Sequence, residues 1–152
     1  MKKTPQRKTK LSGLEEMLRA AEPTLETSLE PPRGLRERLK FTAEVLEEAG
    51  PLSAEPQVIW RQPDGKVRAQ EIHAELRVGR EIGLELVIAS PKASRRHFSI
   101  HSEKGLAVLK DHQSRNGTYV NGTKVDQRQL LDGDIIEAGG RLFVFLQRLS
   151  EK

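Results

Sequence analysis

Two hydrophobic periods divide the chain. Between Gly34 and Ala49, Leu35, Leu39, Thr42, Leu46 and Ala49 recur at spacings of three and four. That spacing predicts an amphipathic helix, ended by Gly50-Pro51. From Pro56 the period shortens to that of strands. Gln57–Arg61, Val67–Glu71, Glu75–Val78, Val87–Ala89, Phe98–Ile100, Leu106–Leu109 and Tyr119-Val120 are predicted strands. Turn clusters such as Pro63-Asp64-Gly65, Glu103-Lys104-Gly105 and Asn121-Gly122 separate them. Leu130–Ile136 reads as a turn feeding a strand, and Arg141–Leu149 as the closing strand. The apolar run Leu142–Leu146 implies a strand buried on both faces. Many short strands with glycine turns and no helical period give an all-β sandwich.

Upstream of the first helix, Ser12-Gly13-Leu14-Glu15 fits a capping box. It predicts a short helix carrying Leu14, Met17, Leu18 and Ala21 on one face and stopping before Pro23. Residues 23–32 have proline at both ends and no period, which marks a linker. The chain therefore divides into an arm, residues 1–54, and a strand-rich body, residues 55–152. Helices this short need a surface to pack on, in the body or in a partner.

Composition sharpens this division. Of 152 residues, 36% are hydrophobic and 32% charged, polar for a fully packed globule of that length, so part of the chain is expected outside the core. With no cysteine, disulfides and thiolate metal sites are excluded, which fits a reducing compartment. The basic N-terminus has no apolar run behind it, and no stretch reaches the length of a membrane span; a cytoplasmic protein is expected. Lys2, Lys3, Arg7, Lys8 and Lys10 make the first ten residues basic, whereas residues 11–54 carry nine acids against five bases. Nucleic-acid binding is one reading of the basic tip; a solvated end is preferred, because no aromatic residue accompanies the charge.

The candidate chemistry lies between Ser94 and Gly122. Ser94, Arg95, Arg96 and His97 precede one strand of a predicted hairpin, and Ser114, Arg115, Asn116, Gly117 and Thr118 follow the other. A hairpin brings its outer ends to one edge of a sheet. Hydroxyl, amide and guanidinium donors meeting there make an anion site, and for a fork of arginine donors the natural anion is a phosphate or carboxylate. A Ser94–His97 catalytic pair lacks a nucleophile elbow and an acid to orient the imidazole. His97 and His101 on one strand stand too far apart to share a metal ion. Asp132-Gly133-Asp134 lacks the other ligands of a calcium loop. No metal, cofactor or enzymatic activity is expected.

Gly79-Arg80, Ser94-x-x-His97, Asn116-Gly117-Thr118, Asn121-Gly122 and Leu131-x-Gly133-Asp134 follow in this order. Together they resemble the signature of the forkhead-associated (FHA) domain, over roughly Pro56 to Leu149. The resemblance implies a sandwich of about eleven strands in two twisted sheets, with a short helical N-terminal extension here. It implies no catalysis, and binding of phosphothreonine peptides by loops at one end of the sandwich. Carried over residue by residue, Arg80, Ser94, Arg95 and Asn116 match phosphate- or peptide-contacting positions. Arg115 departs from the family pattern, standing where many members carry a small hydroxylated residue; it could add a charge-assisted bond or crowd the pocket. Gly79, His97, Gly117, Thr118, Asn121 and Gly122 match structural positions. Arg96 is expected in solvent, and Asp111 and Ser114 to shape the loop.

The function implied is a phosphothreonine-binding adaptor acting downstream of a Ser/Thr kinase, its partners being phosphothreonine proteins and that kinase. Thr24 and Thr27, among acids in the linker, are candidate phosphosites that could act as ligands in cis. The alternative is a phosphate-independent scaffold subunit of a larger assembly, such as a secretion machine, with Leu35, Leu39 and Leu46 as contacts.

Overall fold

A computed structural model describes residues 33–148. One helix, α1 (Leu35–Ala49), precedes eleven strands. These are β1 (Gln57–Arg61), β2 (Val67–Glu71), β3 (Glu75–Gly79), β4 (Leu86–Val87), β5 (Phe98–Glu103), β6 (Leu106–Asp111), β7 (Thr118–Val120), β8 (Thr123–Val125), β9 (Gln127–Gln129), β10 (Ile135–Ala138) and β11 (Arg141–Leu146). They form two sheets, ordered β2-β1-β11-β10-β7-β8 and β4-β3-β5-β6-β9. The architecture is the expected sandwich. The helix predicted from Ser12, the linker 23–32, Thr24, Thr27 and Leu149 lie outside the described residues.

The core fills the space between the sheets. Val58, Val120, Ile136, Phe143 and Phe145 face Leu76, Val78, Phe98, Ile100 and Leu109. Alternation along β11 explains its apolar run. Phe143 and Phe145 point into the sandwich, while Val144 points outward beside Ile59 and is covered by Val45 and Phe41 of α1. A sheet with both faces covered selects apolar residues at every position.

The helix sits as expected in the chain but rotated about its axis. Its buried side centres on Arg38, Phe41 and Val45, with Leu46 and Ala49 packed partly against the sheet, and Leu39 is 56% exposed. The stripe read through Leu39 is only partly the one that packs on the sheet: Phe41 and Val45 form an equally regular stripe next to it, and they meet Ile59 and Val144. Arg38 belongs to this buried stripe. Its Nη1 donates to the Arg33 carbonyl, and its head lies where a Cβ at Gly122 would stand, 2.7 Å from Nη1. Burial lowers the Arg38 pKa and Glu137 partly opposes this. Among the described residues no helix is long and apolar enough to cross a membrane.

Two strands differ from expectation by their absence from the sequence pattern. β8 and β9 are polar sheet edges, mostly exposed, and carry no alternation that period-two reasoning could detect. β4 lies one residue earlier than the predicted Val87–Ala89.

Candidate functional site

At one end of the sandwich, β3 stops at Gly79, β5 starts at Phe98, β6 stops at Asp111 and β7 starts at Thr118. The β3–β4, β4–β5 and β6–β7 loops therefore meet there. Gly79 makes the meeting possible. A Cβ on it would stand 2.1 Å from the Arg95 carbonyl oxygen, so only glycine lets the β4–β5 loop lie against the end of β3. Main-chain bonds lock that approach: Arg80 N donates to Ser94 O at 2.9 Å, Glu81 N to Arg95 O at 3.1 Å and His97 N to Val78 O at 2.9 Å.

Arg80, Arg95 and Arg115 are exposed on these loops and Ser94 is half-buried among them. Arg80 Nε donates to the Ala93 carbonyl at 3.0 Å, which orients the guanidinium. The Ser94 hydroxyl oxygen accepts from Arg115 N at 2.9 Å, tying the two clusters flanking the hairpin together. With that lone pair taken by a backbone donor, the hydroxyl proton is left to point elsewhere. Asn116 donates through Nδ2 to the Lys92 carbonyl at 2.9 Å. Arg96 pairs at the surface with Glu81 at 3.2 Å. The expected site residues Arg80, Ser94, Arg95, Arg115 and Asn116 thus share one loop cluster.

His97 is fully buried and joins both loops. Its Nδ1 accepts from Ser94 N at 3.0 Å, and Nε2 lies 2.9 Å from the Gly117 carbonyl. An acceptor at Nδ1 and a carbonyl at Nε2 fix the tautomer: the proton sits on Nε2. A protonated ring would set an N–H against the Ser94 N–H. Burial accordingly lowers the His97 pKa, with Gly117 and Asp111 pulling the other way.

Asp111 organises the second loop. Its carboxylate accepts from Ser114 Oγ at 2.6 Å, Ser114 N at 3.0 Å and Thr118 Oγ1 at 2.7 Å. Burial works to raise its pKa, but these hydrogen bonds outweigh it and hold the carboxyl below its usual value. Gly117 N donates to Ser114 Oγ at 3.0 Å. Asn121 (φ 52°) and Gly122 (φ 88°) form the β7–β8 turn in the left-handed region. The Asn121 side chain bridges to Asp134 Oδ1 and Ile135 N, each at 3.0 Å.

The pH dependence follows with a definite sign. His97 has a folded pKa below its ordinary value near 6.5, so its contribution is complete above about pH 6.5 and is lost as pH falls through the folded pKa. The urea midpoint is expected to fall between about pH 7.5 and 5.5. A His97→Gln variant should start lower but show a smaller fall. An unchanged slope would exclude this histidine as the source.

Sequence reasoning missed the carbonyls of Lys92 and Ala93, which hold Asn116 and Arg80, and the glycine turn beneath them. Gly139, between β10 and β11, rests on Ala93: a Cβ there would stand 2.8 Å from Ala93 Cβ. The Gly139-Gly140 pair was the available signal.

The family model described as FHA domain matches residues 76–139, the span holding all three loops. A structure described as a structural and functional analysis of phosphothreonine-dependent FHA domain interactions is 30% identical, with a TM-score of 0.55. The match covers 60% of this chain and 96% of that one. The chain belongs to the FHA-domain family. The FhaA FHA domain, complexed with the intracellular domain of Rv3910, is similar at 28% identity and a TM-score of 0.54, covering 60% of this chain and 99% of that one. The ABC transporter ATP-binding/permease protein Rv1747 of Mycobacterium tuberculosis is 35% identical over 98 residues, which are 64% of this chain and 11% of that protein. Across the curated relatives the match spans 11% to 56% of their own lengths. The shared unit is the FHA domain.

Proposed function

We propose that this FHA protein is a phosphothreonine-binding adaptor acting downstream of a Ser/Thr kinase, in the cytoplasm. The observation that carries the reading is the Ser94–Arg115 tie, which joins the β4–β5 loop bearing Arg95 to the β6–β7 loop bearing Arg115 around one serine hydroxyl, with Arg80 on the adjoining β3–β4 loop. Arginine forks suit a phosphate group, which carries about −1.5 to −2 charge at neutral pH. In this reading Arg80, Ser94, Arg95 and Arg115 take the phosphate and Asn116 the adjacent peptide main chain. Gly79, His97, Gly117, Thr118, Asn121 and Gly122 hold the loops. The binding domain covers residues 55–152, and residues 1–54 are its arm.

Calorimetric titration with a degenerate phosphothreonine peptide pool, beside its unphosphorylated twin, tests this. Micromolar binding, about −8 kcal/mol, is expected for the phosphorylated pool alone. Equal binding of both pools, or binding of neither by a chain dephosphorylated beforehand, would favour the phosphate-independent scaffold.

A second reading makes Thr24 or Thr27, once phosphorylated, a ligand in cis. Arg33 supports it: its main-chain N–H and guanidinium bond Glu137, and the guanidinium reaches Gly140 O, beside the Lys92–Ala93 loop. Thr27 and Thr24 precede Arg33 by six and nine residues, an extended reach of roughly 20 and 30 Å. A tether that short gives a high effective concentration.

A further inference from the structure

Consecutive carbonyls of one loop hold two of the site's side chains. Lys92 O takes the Asn116 amide at 2.9 Å and Ala93 O takes Arg80 Nε at 3.0 Å. That loop does not stand alone. It rests on the turn between β10 and β11, where Gly139 (φ 60°) packs against Ala93 and Gly140 (φ 79°) lies beside Lys92. Arg141, which opens β11, donates to Ala89 O at 3.2 Å, at the start of the loop. Two glycines in succession lose more conformational freedom on folding than any other pair, so contacts from outside matter for holding this turn.

The support comes from Arg33, two residues ahead of α1. Arg33 donates from its main chain to Glu137 Oε1 at 3.0 Å and from Nη1 to Oε2 at 3.1 Å. Its Nη2 donates to Gly140 O at 3.3 Å. One residue thus bridges the last turn of β10 and the glycine pair. Arg33 is in turn fixed from the helix side, because the buried Arg38 donates to its carbonyl.

We infer that Arg33 is a positioning residue for the phosphate site: by clamping Glu137 and the Gly139-Gly140 turn it holds the Lys92–Ala93 step that aims Asn116 and Arg80. The inference rests on the phosphopeptide reading for its functional meaning. Docking of the arm and ordering of the site are then linked. Because linkage is reciprocal, a bound phosphopeptide tightens the arm, and a partner that lifts the arm weakens the site.

The test uses the whole 152-residue chain. The first readout needs no ligand: hydrogen exchange of the Arg80 Nε–H, assigned by its loss in Arg80→Lys. In Arg33→Ala this proton is expected to exchange about fivefold faster, while core amides such as Leu109 and Val144 keep their protection. General loosening of the fold would speed all of them together. The second readout is affinity for the phosphothreonine pool, expected to fall about fivefold. Glu137→Gln, which removes the clamp's charge without changing its shape, should move both readouts the same way. Leu39→Ala, on the exposed side of the helix, should move neither. Arg80 exchange within about twofold of the parent in both clamp variants overturns the inference. If the parent binds no phosphopeptide, the phosphate reading fails, and the exchange result still decides the coupling.

Discussion

Gly79→Ala is expected to destabilise the domain by about 3 kcal/mol and to remove phosphopeptide binding. The added methyl would lie 2.1 Å from the Arg95 carbonyl oxygen, 2.8 Å from its carbon and 3.0 Å from His97 N. All three are backbone atoms, so no rotamer change relieves the contact. The loop must move outward as a body, which opens the His97 N to Val78 O bond and the Arg80 N to Ser94 O bond. Gly79 is itself buried and registered with Val87 of β4, so it cannot retreat without cost to that pairing. Urea unfolding reads the stability and calorimetry reads the binding. A variant with the parent's midpoint and affinity would refute the steric account of this glycine.

Arg80→Ala is expected to lower phosphopeptide affinity roughly a hundredfold at little cost in stability, since hydrogen bonds to charged groups contribute about 1.5–3 kcal/mol each. The side chain is exposed, and its described fold contact is a single bond to Ala93 O. Arg96→Ala supplies the comparison. That guanidinium faces Glu81 at the surface, and exposed pairs of this kind contribute little. Its affinity should stay within about threefold of the parent. If the two variants lost affinity equally, the site would be a diffuse positive field rather than a phosphate fork. The effect of Arg80→Ala would then shrink steeply with added salt.

The contrast between these two arginines shows what the sequence could convey. Arg96 was expected in solvent, and it lies at the surface paired with Glu81. The hairpin of β5 and β6 was also legible, and with it the meeting of the Ser94 and Asn116 loops, because period-two patterning and a Lys104-Gly105 turn specify a register. The apolar run in β11 announced a cover on the outer face of the sheet before the covering helix was in view. What the sequence hid was carried by backbone or by polar edges. β8 and β9 have no apolar alternation to betray them. The Lys92 and Ala93 carbonyls belong to every residue type alike. The rotation of α1 turned on whether Leu39 or Phe41 faced Val144, two stripes that one sequence presents side by side. Arg38, a charged residue in that buried stripe, could not be picked out by a hydrophobic pattern.

The pairing of the first strand with the last has a consequence for how the protein is made. Gln57 is registered with Leu146 and Ile59 with Val144, so an interior pair of the six-stranded sheet joins opposite ends of the domain. Contacts this distant in sequence are slow to close, because the whole intervening loop must be gathered first. While the chain is leaving the ribosome, β1 has only β2 to pair with, and the platform for α1 lacks Val144 until β11 emerges. Docking of α1 therefore waits until β11 has been made. A chain stopped before Arg141 would present Ile59, Phe41 and Val45 to solvent together, a surface suited to chaperone capture rather than to signalling.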